Sequence, residues 1–289
     1  MNYVMLISAA LLLAADFAVN KIYQSLRGTS PKASLFFNSI LGLTTAIIFF
    51  AANKFRLSFS PFSLIMATLM SAFVMSYNII GFRLLKQGRM SLYVLFLMTG
   101  GMILPCVWGL AFWNESLSVF KTAGLTVIVG GILLSNFNGE KINLKQIIMC
   151  IFVFLLNGFT SIVSKMYQIE INYVRVDTID FVILAGITKF IIAGLLFFVF
   201  KGMAQEPCDK NNFTKALITI IASAVIGGFS YFLQLYGAQS LPATMLYPFI
   251  TGGSIVFSTL TDAVIFETKL SRKLIIGVLM CFIGTILFI

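Results

Sequence analysis

Asp16 is the one acid in the apolar run that opens the chain, and it lies about two-thirds of the way along it. An ionised carboxylate in the middle of a bilayer costs about 3 kcal/mol or more unless paired or hydrated, so an acid kept there points to cation binding or proton carriage. Asp16 is accordingly the candidate for a substrate cation or a coupling proton. Asn20, four residues on, shares its helical face, whereas Lys21 points about 140° away. A second polar stripe runs through Asn157, Thr160, Ser161, Ser164, Lys165 and Gln168 at spacings of three and four. The expectation is that the Asp16–Asn20 face and the Asn157–Thr160–Ser164 face look at each other across a solvated cavity. The competing reading is structural: Asp16 neutralises Lys165 or Lys189.

Further polar groups interrupt other apolar runs: Asn78, Ser230 and Gln234. Each is placed either to touch substrate or to hydrogen-bond a neighbouring helix. Tyr77, Tyr93, Trp108, Tyr231 and Tyr247 offer π faces to a cationic group, against the alternative of core filling or interfacial anchoring. Of these, Asn78, Tyr93, Tyr231, Gln234 and Tyr247 join Asp16, Asn20, Asn157, Thr160 and Ser164 as the candidate substrate-binding set. Gly100, Gly101, Gly252 and Gly253 remove side chains at matching depths, for close helix crossing or a hinge. Glu115 and Glu267 are expected to support the start of the helix that follows each of them, with Ser118 and Ser271 as caps. Lys21, Lys165 and Lys189 keep an anionic or zwitterionic ligand in view.

The elements that position these groups follow from composition. Of 289 residues, 59% are hydrophobic and 10% charged, and the mean hydropathy is +0.99, so lipid is the solvent. Apolar runs of roughly 20 residues suit spanning helices. They fall at 3–23, 33–52, 62–85, 91–113, 119–137, 144–167, 181–199, 216–236, 244–266 and 274–289. Only helices satisfy every backbone group in hydrocarbon without closing a barrel, and period-two alternation is absent. The expected fold is all-α, an integral membrane protein of ten transmembrane helices. No cleavage site follows the first run, which reads as a retained helix and not a signal peptide.

The net charge of +10 is scattered through the joints and marks topology, not nucleic acid. Joints after odd-numbered helices carry 14 basic residues and joints after even-numbered helices carry 5, with Lys189 inside the seventh helix. The odd joints are therefore expected in the cytoplasm and both termini outside. Cys106, Cys150 and Cys281 lie in apolar runs and Cys208 in a joint, without disulfide or zinc spacing. There is no histidine, no phosphate loop and no acid cluster. A membrane enzyme therefore lacks its catalytic set, a receptor leaves the polar stripes without a purpose, and neither metal nor cofactor is expected.

The two halves resemble each other. Lys21, Tyr23 and Gln24 match Lys165, Tyr167 and Gln168 at an offset of 144. At 152, Ser71 matches Ser223, Gln87 matches Gln239, the triplet Thr99-Gly100-Gly101 matches Thr251-Gly252-Gly253, and Glu115 matches Glu267. At 153, Leu117 and Ser118 match Leu270 and Ser271, Gly124 matches Gly277, and Gly131 matches Gly284. Units of five spans, 1–140 and 141–289, must sit in opposite orientation, the usual basis of alternating access around a site near the bilayer midplane.

Ten helices in two repeats, a lysine late in the first helix of each (Lys21, Lys165), and an acid followed by Leu-Ser and spaced glycines (Glu115, Leu117, Ser118, Gly124, Gly131; Glu267, Leu270, Ser271, Gly277, Gly284) resemble the drug/metabolite transporter superfamily, EamA type. The resemblance covers essentially the whole chain. It implies secondary transport of a small organic molecule across the plasma membrane, through a cavity between the halves; a monomer or homodimer without cofactor is the separate expectation. The expected substrate is a cationic or zwitterionic metabolite such as an amine or amino acid, with a broad drug or organic-cation exporter as the alternative. Two departures fall near the cavity. Thr-Gly-Gly triplets stand where the family usually has a mid-helix proline, with Pro105 and Pro248 at non-equivalent places. Leu13-Ala14 and Asn157-Gly158 stand where the family often has Trp-Gly.

Overall fold

The computed structural model describes residues 2–86, 90–136, 143–199, 210–267 and 271–288. Among them are ten helices and no strand: α1 Asn2–Arg27, α2 Pro31–Ala52, α3 Pro61–Lys86, α4 Met90–Phe112, α5 Val119–Asn136, α6 Leu144–Ile169, α7 Thr178–Val199, α8 Lys210–Ser240, α9 Ala243–Ile265 and α10 Arg272–Ile286. Eight are long and apolar enough to cross a bilayer, and α5 supplies a shorter apolar helix. Hydropathy under-reads α8, which starts six residues earlier and ends four later than its apolar run, because polar residues at both ends continue the helix. The end of α1 likewise extends through Arg27, where Gly28 takes a positive φ of 72° and ends it.

The helix starts are written in capping residues. Ser30 accepts the Ala33 N–H at 3.2 Å ahead of Pro31, and Ser60 accepts the Ser63 N–H at 3.0 Å ahead of Pro61. Asn143 and Gln146 form a reciprocal capping box (2.9 and 3.2 Å), and Ser271 accepts from Leu274 at 3.2 Å. Ser118 accepts the Lys121 N–H at 3.3 Å, as the sequence leads one to expect.

The packing pairs helices across the two halves: α1 with α8 and α9, α6 with α3 and α4, α2 with α7, and α5 with α10. Glycines set the closest crossings, as expected where lipid removes the hydrophobic drive between helices. A Cβ on Gly124 would stand 2.7 Å from the Gly284 carbonyl oxygen, and one on Gly131 would stand 2.5 Å from that of Gly277. The order 124 with 284 and 131 with 277 makes α5 and α10 antiparallel. Gly42 and Gly186 meet in the same way (2.6 and 2.7 Å), and Asn53 at the end of α2 donates to Asp180 at the start of α7 at 2.7 Å. Tyr23 donates to the Ala33 carbonyl (2.8 Å) and Tyr167 to that of Val176 (3.0 Å), the same tie from the last turns of α1 and α6. These pairings are consistent with two inverted five-helix units.

In the fourth helices the packing register differs by one residue from the matched triplets. A Cβ on Gly100 would strike the Phe154 backbone, and one on Gly253 would lie 3.1 Å from the Ala10 Cβ. Phe154 and Ala10 are 144 apart, so Gly100 corresponds to Gly253, at 153. α4 and α9 also begin and end 153 apart, and Asn114 and Glu267, again 153 apart, have positive φ of 51° and 49° just past them. Helix ends and crossings fix this register, which three identical residues alone misplace by one.

Candidate functional site

The seam between α1 and α8 holds Asp16. Its carboxylate accepts a short hydrogen bond from the Ser223 hydroxyl and one from Asn20 Nδ2 at 3.1 Å, and Ser223 also lies 3.4 Å from Asn20 Oδ1. One turn further along α8, Gly227 leaves the space that the carboxyl fills: a Cβ there would stand 2.9 Å from the Asp16 carboxyl carbon. Ser230 then donates to the Ala9 carbonyl at 2.8 Å and accepts from Gln234 at 3.2 Å, closing the seam. Two neutral donors therefore orient Asp16. Lys189, on α7, is the ammonium that interacts with Asp16 electrostatically, without forming an ion pair. Among the described residues the ion pair is Lys21 with Asp262, at 3.1 Å.

Ser223 was legible only as a repeat match. Its role belongs to a small and polar stripe at spacings of four and three, Ser223, Gly227, Ser230 and Gln234, which marks the face of α8 turned to α1.

The two expected faces do not meet by hydrogen bonds. Asp16 and Asn20 turn to α8, whereas Asn157 on α6 donates to the Leu97 carbonyl of α4 at 2.7 Å, in space that Gly101 leaves. Thr160 bonds back to Leu156 at 2.9 Å in its own helix, and Ser164 is buried. The reason is topological: α1 packs chiefly on α8 and α9, and α6 chiefly on α4 and α3. Lys165 is not the partner of Asp16 either. Its Nζ donates to the carbonyls of Ala238 and Leu241 at 2.6 Å each, at the end of α8. Glu115 does not support α5; its two oxygens accept the Ala243 and Thr244 N–H groups of α9 at 2.8 Å each. Glu267, one helix end away in the repeat, is exposed.

Tyr247 donates to the Ser161 carbonyl at 2.5 Å, joining α9 to α6, and Tyr231 lies 3.7 Å from the Met70 sulfur. Tyr77 on α3, Tyr231 on α8 and Tyr247 on α9 are each packed into the apolar interior. Tyr93 packs against Gly81 and lies in a small cluster with Tyr77, and Asn78 is half-buried on α3. Trp108 is apart from them, 4.4 Å centroid to centroid from Phe112. Gly252 is at a crossing too, where a Cβ would strike the Thr285 hydroxyl. Gln87, Cys208 and the basic residues Arg89, Lys141, Lys201 and Lys269 lie outside the described residues.

Ten helices, eight of them long and apolar enough to cross a bilayer, make this a multi-pass membrane protein. The model of the EamA-like transporter family matches residues 144–289, half of the chain, and begins at the first residue of α6. The chain belongs to that family and is a membrane transporter of the drug/metabolite transporter superfamily. A solved crystal structure of a protein superposes with a TM-score of 0.77 over 99% of this chain and 95% of that one at 15% identity, a likeness of fold. A search of curated proteins returns no match.

Proposed function

We propose that the protein is a secondary transporter that moves a small cationic or zwitterionic metabolite, such as an amine or amino acid, across the plasma membrane by alternating access. The single observation that carries this reading is Asp16, a carboxylate midway along α1, oriented by Ser223 and Asn20 and not neutralised by an ion pair. A site of that kind attracts an ammonium group or takes up a proton, and hydroxyl and amide donors hold its geometry while the charge stays available. Tyr231 and Tyr247 supply aromatic surface from α8 and α9. The lipid bilayer is the partner of the outer faces, and a proton is the candidate coupling ion. The units are 1–140 and 141–289, with odd joints in the cytoplasm.

The test is thermal-shift screening of purified protein against amino acids, polyamines, quaternary amines, nucleosides and organic acids, followed by flux in proteoliposomes with and without a proton gradient. An amine or amino acid is expected to stabilise the protein and to be transported. Asp16→Asn is expected to abolish flux while expression and elution in detergent stay normal; flux at the wild-type rate removes Asp16 from the site. A broad organic-cation exporter is the second reading, favoured by the interior tyrosine group, and competition by structurally unrelated cations distinguishes it.

A further inference from the structure

Of the three intramembrane lysines, Lys21 is paired with Asp262 and Lys165 is bonded to helix-end carbonyls. Lys189, midway along α7, makes neither a hydrogen bond nor an ion pair among the described residues. The rest of α7 fixes where it points. Gly186 meets Gly42 of α2, and Thr188 bonds Ser71 of α3 at 2.9 Å. At 100° per residue Lys189 falls on the arc between those two contacts, whereas Ile191, Leu195 and Phe198 carry the exposed side. Lys189 is therefore turned inward, as an ammonium at that depth must be to avoid hydrocarbon.

A line of small residues leads from there to Asp16. A Cβ on Gly42 would stand 3.2 Å from that of Lys189, and one on Gly228 of α8 would stand 3.4 Å from the methyl of Thr45, one turn along α2. Gly227, beside Gly228, makes the room that the Asp16 carboxyl fills. Asp16 and Lys189 thus approach one interior region from α1 and α7. They attract one another electrostatically and are not in contact. Both are half-buried, so each keeps surface that the other does not cover.

The internal identities separate this pair from the framework. The offset of 144 that matches Lys21 with Lys165 also separates Gly42 from Gly186, which meet one another. By that offset Asp16 falls on Thr160 and Lys189 on Thr45, two neutral residues. Thr160 bonds back into its own helix, and the crossing glycines are present in both halves, so packing at these places is built without charge. The carboxylate belongs to the first half alone and the ammonium to the second alone.

A carboxylate and an ammonium held apart at one interior region are complementary to a molecule that carries both charges, because each end of it gains a charge-assisted contact. A simple amine satisfies Asp16 but sets a second positive charge near Lys189, and an organic acid without an amine does the reverse. We infer that Lys189 is a specificity-determining residue that binds the carboxylate of the substrate opposite Asp16, so that the transported class is the amino-acid zwitterion and not the simple amine. This inference rests on the transport reading and narrows its substrate.

The test takes the full chain, purified for thermal shift and reconstituted for flux. The probes are the common amino acids, each beside the amine that differs from it only by the carboxylate, such as leucine with isoamylamine, phenylalanine with phenethylamine and lysine with cadaverine. In the wild type at least one amino acid is expected to raise the Tm and to be transported in preference to its amine. Lys189→Met is expected to weaken that amino acid by about tenfold to a hundredfold relative to its amine and so to reverse the order, and Lys189→Arg to keep the order. Asp16→Asn is expected to lose both members of the pair. Lys189→Gln keeps the length and polarity of the side chain and is read in the same way where Lys189→Met does not fold. A Lys189→Met protein that handles the pair as the wild type does overturns the assignment, and so does loss of both members in equal proportion, which marks a structural role. A wild type that prefers the amine overturns it as well and leaves transport standing. Stabilisation selective for an amino acid in a chain that moves no solute overturns the transport reading alone, and silence from every pair in both assays overturns both.

Discussion

A carboxylate inside a helical bundle is as useful as its surroundings leave it. Asp16 accepts from a hydroxyl and an amide, which fix its direction without cancelling its charge, and Gly227 makes room for it. A hydrogen bond to a charged group contributes about 2 kcal/mol, so Ser223→Ala is expected to weaken substrate binding by roughly tenfold or more while leaving the carboxylate in place. In flux assays that appears as a raised KM with kcat little changed, in contrast to the loss of flux expected for Asp16→Asn. A Ser223→Ala protein with wild-type KM removes Ser223 from the site. The three intramembrane lysines separate at this scale as well: Lys21 is held by Asp262, Lys165 by helix-end carbonyls, and Lys189 interacts with Asp16.

At the scale of elements, glycine decides which helices approach most closely. At the α5–α10 crossing the backbones of Gly124 and Gly284, and of Gly131 and Gly277, leave no room for a methyl group. Gly131→Leu is expected to force the two helices apart, destabilise the protein by about 1–3 kcal/mol and lower its Tm in detergent. An unchanged Tm would show that the crossing is looser than drawn. Tyr167 is a polar counterpart, bonded to Ser63 and Val176 and stacked on Phe181 with centroids 3.8 Å apart. Tyr167→Phe keeps the stack and removes the hydroxyl, so it is expected to cost about 1–3 kcal/mol by leaving buried groups unpaired. Thermal unfolding beside the Phe181→Leu variant separates the two contributions.

At the scale of the whole molecule, orientation is a matter of charge. The proposed orientation puts the odd joints, with their excess of lysine and arginine, in the cytoplasm by the positive-inside rule. Cys208 belongs to an odd joint, and a membrane-impermeant thiol reagent is expected to label it only after cells are opened; labelling of intact cells reverses the orientation.

The number of helices, the all-α class and most helix starts were legible in sequence, and the internal identities pointed to two similar halves. Each depends on local or periodic properties: apolar runs of bilayer length, Ser and Asn caps ahead of helices, and identities at offsets of 144 and 153. Asp16 stood out for the same reason, since an acid in hydrocarbon is conspicuous without knowledge of its neighbours. What surrounds it was decided only by the tertiary structure, because the helices pack across the two halves, α1 on α8 and α6 on α3 and α4. That arrangement gave Asp16 to Ser223 in place of the α6 stripe, sent Glu115 to α9 and Lys165 to the end of α8, and moved the α4–α9 register by one residue. Side-chain reach between distant helices is set by how whole helices cross, and no local pattern in a single chain encodes it.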